Sequence, residues 1–216
     1  LLASDGTPYQ FEEMFGRPSN DIYTVDIRTG NKKKILNDNP FFLSNSVSQG
    51  GKYFVYVQDN NYHLYDLTTS KTINLTQDID DSFVNLEDDH PMRQKTPFGF
   101  VGWDQTGSYF IAHSKFDVWK FEAASGKGTK ITNGKSSGIE YRYERADFGN
   151  STVDLNQPYR LRRFDSVTKK MGYSLSDKGN VSELFWGESV VSGVVKAKNA
   201  DVTALKIESY NDSPDY

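Results

Sequence analysis

The amino-acid sequence predicts an all-β fold built from repeated four-stranded antiparallel units. Short runs of β-branched and aromatic residues alternate with clusters of Gly, Asn, Asp and Ser, which is the pattern of strands joined by hairpin turns. No window of the chain sustains a helical period. Aromatic residues make up 14% of the 216 residues, and such side chains suit pleated sheets better than helical bundles.

The clearest unit lies at 98–132. Its predicted strands occupy 98–103, 109–112, 118–121 and 130–132, with turns at 104–107 and 125–127. A complete second unit has predicted strands at 41–43, 53–57, 62–67 and 72–76. A partial first unit has strands at 21–27 and 34–36, after a short helix or an inserted loop at 10–17. A fourth unit has strands at 139–145, 159–164, 172–175 and 182–185, and a fifth begins with strands at 190–195 and 204–207.

The spacing of these units predicts a β-propeller. The third-strand aromatics Tyr23, Tyr65 and Trp119 are 42 and 54 residues apart, and four-stranded blades repeat roughly every 40 to 45 residues. The longer interval contains an acidic insertion at 78–96. We expect a single domain of blades at 1–38, 41–77, 98–134, 139–187 and 190–216. The sequence begins and ends inside a blade, and propellers close with about 4 to 8 blades. We therefore expect it to be a segment of a longer chain.

Composition excludes several classes of function. The net charge is -4 without long single-sign runs, so no nucleic-acid partner is predicted. The absence of cysteine excludes disulfides, thiolate metal sites and a cysteine nucleophile. No apolar run approaches the roughly 18 residues of a membrane span. We predict no cofactor.

The acidic insertion is the first candidate site. Its carboxylates and one histidine are oxygen and nitrogen donors that could hold Ca²⁺ or Mg²⁺. The insertion lacks the Asp-x-Asp-x-Asp-Gly spacing of a dedicated calcium loop, so a solvated or interface loop is favoured over a metal site. Within the insertion, the residues singled out are Glu87, Asp88, Asp89 and His90.

A Gly-x-Ser-x-Gly sequence at 134–138 resembles the nucleophile elbow of hydrolases and places Ser136 at its centre. The elbow requires a strand before the serine and a helix after it, whereas a strand is predicted after this one. The hydrolase order is Ser, then acid, then His, and every histidine here precedes Ser136. These histidines are His63, His90 and His113. We therefore predict no catalytic residue in the chain.

Three arginines lie close together in the fourth unit. Arg160, Arg162 and Arg163 could bind a carboxylate or a phosphate. Because Arg160 and Arg162 share one face of a strand, the favoured interpretation is cross-strand pairing with acidic residues.

Two turns resemble the Ser-Pro-Asp-Gly-Lys-Tyr signature of TolB-like and prolyl oligopeptidase-type propeller blades. They lie at 48–53 and 103–109, and neither keeps the proline. A longer series of motifs is similar to the N-terminal propeller of large S9 family serine peptidases of Bacteroidetes-type bacteria, over nearly the whole chain. The motifs occur in this order: Asp21-Ile-Tyr23, Thr29-Gly30, Asn74-Leu-Thr76, Ser82-Phe-Val84, Glu87-Asp-Asp-His-Pro91, Gly102-Trp103, Asp117-Val-Trp119, Ile131-Thr-Asn133 and Pro214-Asp215.

The resemblance implies a periplasmic or secreted parent peptidase. Its C-terminal α/β-hydrolase domain would carry the Ser-Asp-His triad, and this propeller would gate and position peptide substrates. Dipeptidyl-peptidase relatives hold the substrate's amino terminus with a glutamate pair, for which Glu12 and Glu13 are the candidates. Their flanks do not match the relatives' motif, so a polar face of a short helix is favoured. The alternative is a TolB-like interaction or ligand-binding propeller without peptidase activity.

Overall fold

The computed structural model describes residues 1–16, 18–41, 46–91, 94–145, 152–197, 199–200, 202–209 and 212–215. It confirms the all-β fold class. Five antiparallel sheets follow one another along the chain, each made of three or four sequential strands.

The first sheet contains a strand that the sequence pattern does not reveal. Its strands are β1 (Leu2–Asp5), β2 (Asn20–Val25) and β3 (Lys32–Asn39). A 3₁₀ helix at Thr7–Phe15 connects β1 to β2, so the segment predicted as a helix or an inserted loop is helical. β1 nevertheless pairs with β2 in register, with Leu2 opposite Thr24.

In the second sheet, three of the four predicted strands fall wholly within the described residues. Its strands are β4 (Tyr53–Gln58), β5 (Asn61–Asp66) and β6 (Thr72–Asn74). The first strand predicted for this unit, at 41–43, falls almost wholly on 42–45, which lie outside the described residues, so it stays a prediction. Among the residues described on that side, an antiparallel bridge between Val47 and Phe54 extends the sheet.

The third and fourth sheets have four strands each, in the order in which they occur in the chain, as predicted. The third sheet consists of β7 (Phe100–Trp103), β8 (Tyr109–His113), β9 (Val118–Glu122) and β10 (Gly128–Lys130). The fourth consists of β11 (Ile139–Glu144), β12 (Tyr159–Asp165), β13 (Met171–Asp177) and β14 (Asn180–Gly187). The fifth consists of β15 (Val190–Lys196), β16 (Thr203–Ser209) and β17 (Asp212–Asp215).

Apolar cores join consecutive sheets. Because side chains alternate along a strand, β4 directs Phe54 and Tyr56 to one face and Val55 and Val57 to the other. Phe54 and Tyr56 pack with Ile22 of the first sheet. Val55 and Val57 belong to a second core, which includes Phe110 and Phe121 of the third sheet. A third core joins Ile111 and Val118 to Tyr159 and Leu161 of the fourth sheet. The first four sheets therefore stack face to face in chain order, as blades of a β-propeller do.

A recurring turn closes three of the hairpins. An aspartate at the end of a strand accepts hydrogen bonds from the backbone N–H groups two and three residues further on. The aspartates are Asp26, Asp66 and Asp165. Hydrogen bonds from Thr68, above all from its side chain, lower the pKa of Asp66 to about 2. The same local chemistry thus sets the turn in the first, second and fourth sheets.

Candidate functional site

The acidic insertion is anchored in the core between the second and third sheets. Phe83 and Val84 are fully buried in that core, and Val84 forms an antiparallel bridge with Pro97. The N–H of Phe98 donates to the carbonyl of Phe83 at 3.0 Å. Burial of two apolar side chains holds the insertion in place, while its carboxylates stay at the surface.

Lysines from the insertion and from neighbouring loops neutralise much of its charge. The Lys135 ammonium lies 3.1 Å from Oδ2 of Asp80, and the Lys115 ammonium donates to the Glu87 carboxylate. Lys95 Nζ donates to the carbonyl of Asp88 at 2.6 Å. Exposed ion pairs of this kind contribute less than about 1 kcal/mol each, so they balance charge more than they stabilise the fold.

The structure brings Asp88, Asp89 and His90 together and turns Glu87 towards Lys115. The ligand atoms of the first three lie within 4.8 Å of one another. Oδ1 of Asp88, however, is 2.6 Å from Nδ1 of His90 and also accepts the His90 backbone N–H at 3.1 Å. These hydrogen bonds from His90 lower the pKa of Asp88. The favoured interpretation is thus a solvated loop whose carboxylate is already satisfied by its own turn.

We expect addition of 1 mM CaCl₂ or MgCl₂ to shift the thermal midpoint by less than about 1 °C. A site with a dissociation constant 100-fold below the added concentration would stabilise the fold by about 2.7 kcal/mol, which such a melt resolves easily. A calcium-dependent rise that disappears in Asp88→Asn would contradict the solvated-loop interpretation.

A cleft of about 470 Å³ opens beside the insertion. It lies at the end of the second and third sheets, between the tip of the β4–β5 hairpin, the insertion, the tip of the β8–β9 hairpin and the loop after β10. Carboxylates and ammonium groups both line it, over apolar side chains that include Phe83 and Phe116. The charged lining residues are Asp80, Asp81, Lys115 and Lys135. The cleft can therefore contact a ligand that carries groups of both signs.

The opposite end of the same two sheets carries a smaller cleft of about 260 Å³. It is lined by the two turns that resemble TolB-like blades. Ser48 closes one turn, with Oγ accepting the N–H of Tyr53 at 3.0 Å. Asp104 closes the other, with Oδ1 accepting the N–H of Tyr109 at 2.9 Å. Substitutions at this end can therefore serve as controls for substitutions in the larger cleft.

A buried aspartate fixes the loop that borders the larger cleft. Asp117 is 0% exposed, and its carboxylate accepts Thr132 Oγ1 at 2.7 Å, the N–H of Gly134 at 2.5 Å and the N–H of Lys135 at 3.2 Å. A Cβ on Gly134 would lie 2.0 Å from the carbonyl oxygen of Ile139, so only glycine fits there. The second sheet has a similar hydrogen bond, in which Oδ1 of Asn61 accepts Thr76 Oγ1 at 2.9 Å.

Ser136 lies in that same loop and not on a nucleophile elbow. Its Oγ donates to the carbonyl of Asn133 at 3.0 Å, and its side chain is exposed. β11 begins at Ile139, where the elbow needs a helix. The Gly-x-Ser-x-Gly sequence is therefore a connection between two sheets.

Two of the histidines are held inside the sheets. Nε2 of His113 accepts the N–H of Tyr143 at 3.0 Å, which ties the third sheet to the fourth. Burial, followed by the charges of Arg142 and Arg162, lowers the pKa of His113 to about 3. His63 is half-buried and stacks on Tyr56 with ring centroids 5.2 Å apart, and its burial lowers its pKa. Both imidazoles are structural and neutral at pH 7.

Glu12 and Glu13 lie in the 3₁₀ helix that connects β1 to β2, far from the acidic insertion in the sequence. Tyr9 anchors this helix by donating its hydroxyl to Oδ1 of Asp21 at 2.6 Å. Glu12 is half-buried, and the side chain of Glu13 lies outside the described residues. Their assignment to a substrate's amino terminus stays a hypothesis.

The arginines of the fourth sheet depart from the predicted pairing. Arg163 does pair with an acid, 2.8 Å from Oε2 of Glu183, and its guanidinium lies over the ring of Trp186. Arg162, however, stands directly opposite Arg142 of β11, so the expectation of an acidic neighbour is wrong for this residue. The register of β11 and β12, which a 14-residue connection separates, could not be deduced from the sequence.

Sequence reasoning missed Lys115, Lys135 and Asp117. Lysines are common at loop tips, so nothing local distinguishes the first two. A signal for Asp117 was present, because it heads the Asp117-Val-Trp119 motif of the S9-type series. The structure gives this motif a physical role, since Asp117 holds Thr132 of the later Ile131-Thr-Asn133 motif.

Comparisons with known proteins give only distant likenesses. No family profile and no curated protein matches the chain. Among solved structures, one assigned as TolB from Agrobacterium tumefaciens is 16% identical with a TM-score of 0.45, covering 86% of this chain and 60% of its own. TolB from Acinetobacter baumannii is 18% identical with a TM-score of 0.38, covering 88% of this chain and 46% of its own.

The chain thus spans less than two thirds of the length of either TolB structure. Structural similarity at these TM-scores does not indicate a shared activity. The assignment of blades depends instead on the sheets and on the apolar cores between them. Within the described residues, no helix has the length and apolar character of a membrane crossing.

Proposed function

We propose that this chain is a non-catalytic binding propeller segment that receives a peptide in the cleft beside the acidic insertion. The observation that carries the proposal is the cleft itself, which is open, of ligand size and lined by charges of both signs. An extended peptide presents amides, an ammonium group and carboxylates, so it can use both walls of this cleft.

The two walls differ in chemistry. Asp80 is exposed on one wall, while Oδ2 of Asp81 accepts Trp119 Nε1 at 3.3 Å and is thereby oriented. Lys115 extends from the opposite wall, and its backbone N–H donates to the carbonyl of Ser82 at 2.8 Å. This bond fixes the base of the Lys115 side chain, and the orientation of the Asp81 carboxylate lowers the entropic cost of binding on its wall.

A finer proposal follows from the S9-type motif series. The parent protein would be a periplasmic or secreted serine peptidase, and this segment would gate and position peptide substrates over a C-terminal α/β-hydrolase domain. The role of Asp117 and Thr132 in closing the cleft-side loop supports the importance of two motifs in that series. The gene sequence that encodes the residues after Tyr216 tests this proposal. We expect it to encode a Gly-x-Ser-x-Gly elbow between a strand and a helix, followed by Asp and His. Absence of this elbow would exclude the peptidase.

The alternative is a TolB-like interaction propeller without a peptidase partner. The surroundings of Ser136 favour non-catalytic function in either case, because its loop runs directly into β11. We expect the isolated chain to leave prolyl and dipeptidyl chromogenic substrates intact. Hydrolysis that Ser136→Ala abolished would overturn the non-catalytic part of the proposal.

We expect Lys115→Glu to weaken peptide binding about tenfold, which corresponds to about 1.4 kcal/mol for one charge-assisted contact. Isothermal titration with the hexapeptide Ala-Ser-Lys-Ala-Glu-Ser measures the change. Lys52→Glu is the matched control, because Lys52 is exposed at the smaller cleft on the opposite end of the same sheets. Equal affinities for the two variants would place binding outside the larger cleft.

A further inference from the structure

Three arginines occupy one face of the two adjacent strands β11 and β12. Arg142 of β11 stands directly opposite Arg162 of β12. Arg160 lies two residues from Arg162 on the same strand and therefore on the same face. Like charges directly opposite each other in a sheet destabilise it, so this arrangement calls for a compensating group.

Arg142 has its partners within the protein. Its Nη1 donates to the carbonyl of Tyr141 at 2.8 Å, and its Nη2 donates to the carbonyl of Lys115 at 3.0 Å. Oε2 of Glu140 lies 3.1 Å from the same Nη2. Its guanidinium also lies over the ring of Phe98. Of the two acidic side chains that β11 places on this face, Glu140 is thereby committed to Arg142.

Arg160 and Arg162 are left without acceptors. Arg162 is exposed and makes no hydrogen bond or ion pair with any residue in the described ranges. Arg160 is 7% exposed, and its Nε and Nη2 have no hydrogen-bond partner. Glu144 is the register neighbour of Arg160, yet the two form no ion pair. A buried guanidinium whose N–H groups lack acceptors is costly, because the protein replaces its hydration with nothing of equal strength.

On the opposite face of the same sheet, a buried arginine has acceptors within the protein. There Arg163, which is equally buried, has Glu183 as its ion partner and Ser174 as a second acceptor. Within the described part of the sheet, the lack of a direct ion-pair partner is thus particular to Arg160 and Arg162.

We propose that Arg162, reinforced by the charge of buried Arg160, binds the C-terminal carboxylate of the peptide that occupies the cleft. This inference depends on the proposed function and adds to it the chemistry of one end of the ligand. The carbonyl of Lys115, which accepts from Arg142, connects the cleft to this arginine face. The planar fork of a guanidinium matches a carboxylate through two parallel hydrogen bonds, and the exposed Arg162 is free to make them.

The test compares the N-acetylated hexapeptide Ala-Ser-Lys-Ala-Glu-Ser with its C-terminal amide. The free acid is expected to bind about tenfold more tightly than the amide, and Arg162→Gln is expected to remove this difference. Arg28→Gln, in an exposed turn of the first sheet, is the control that should keep it. Because Arg162→Gln removes a like-charge contact, its unfolding midpoint should equal or exceed that of the original chain, which separates lost binding from lost folding.

A second measurement reports on Arg160 without altering it. The Nε–H NMR signal of Arg160 is expected to shift with the free acid and to stay in place with the amide. Equal affinity for acid and amide, with both still dependent on Lys115, would overturn this inference and leave the proposed function intact. No binding of either peptide would overturn both. Inorganic phosphate that displaced the acid at equal concentration would show a general anion site and overturn the assignment to a carboxylate.

Discussion

Replacing Asp117 with alanine is expected to lower the free energy of unfolding by about 4 kcal/mol, because a hydrogen bond to a charged group contributes about 1.5 to 3 kcal/mol. The substitution removes the acceptor of Thr132, Gly134 and Lys135 together and leaves buried donors without partners. Urea denaturation followed by tryptophan fluorescence measures the loss.

Two variants control for this prediction. Asp117→Asn keeps one oxygen for Thr132 but turns an NH₂ group towards a backbone N–H, so we expect an intermediate loss. In the second sheet, Asn61 accepts Thr76 Oγ1 at 2.9 Å, and Asn61→Ala should cost only about 1 kcal/mol, as for a typical neutral hydrogen bond. A cost below 1 kcal/mol for Asp117→Ala would contradict the role assigned to the carboxylate.

Acidification is expected to destabilise the fold through His113. Burial lowers the folded-state pKa of His113 from its ordinary value of 6.5 to about 3, so the unfolded chain binds the proton more readily. The contribution of His113 is complete above pH 6.5 and is lost as the pH falls towards 3. Between pH 7 and pH 5 the loss amounts to about 2 kcal/mol.

His113→Gln separates this effect from other titrations. Glutamine can still accept the N–H of Tyr143 through its side-chain oxygen but does not titrate. Urea denaturation at pH 7 and pH 5 should therefore show the pH-dependent loss in the original chain and little of it in the variant. Identical losses in both proteins would mean that His113 is not the group that senses pH in this range.

Local sequence signals predicted the strands that alternate cleanly or carry several β-branched and aromatic residues. The fourth sheet illustrates this, since Tyr141 and Tyr143 do share the face that packs on the third sheet. β1 was missed because Leu2–Asp5 is a short Leu-Ala-Ser-Asp segment with no β-branched residue. It forms a strand only because β2 offers an edge for pairing, which is a tertiary effect.

The candidate site was predicted in part. The acidic insertion was recognisable from composition, and its interruption of the repeat was visible in the spacing. The lysine partners of the insertion could not be recognised from the sequence. Lys135 is 55 positions from Asp80, and the two residues meet only because the sheets stack. The unpaired charge of Arg162 likewise depends on the register of β11 and β12.

The location of peptide binding tests the central claim most directly. The ¹⁵N-labelled chain, titrated with Ala-Ser-Lys-Ala-Glu-Ser, is expected to show backbone amide shifts concentrated at Asn60–Asn61, 76–86 and Lys115–Phe116, around the larger cleft. Shifts at 48–52 and 106–108, at the opposite end of the sheets, or no shifts at millimolar peptide, would contradict it.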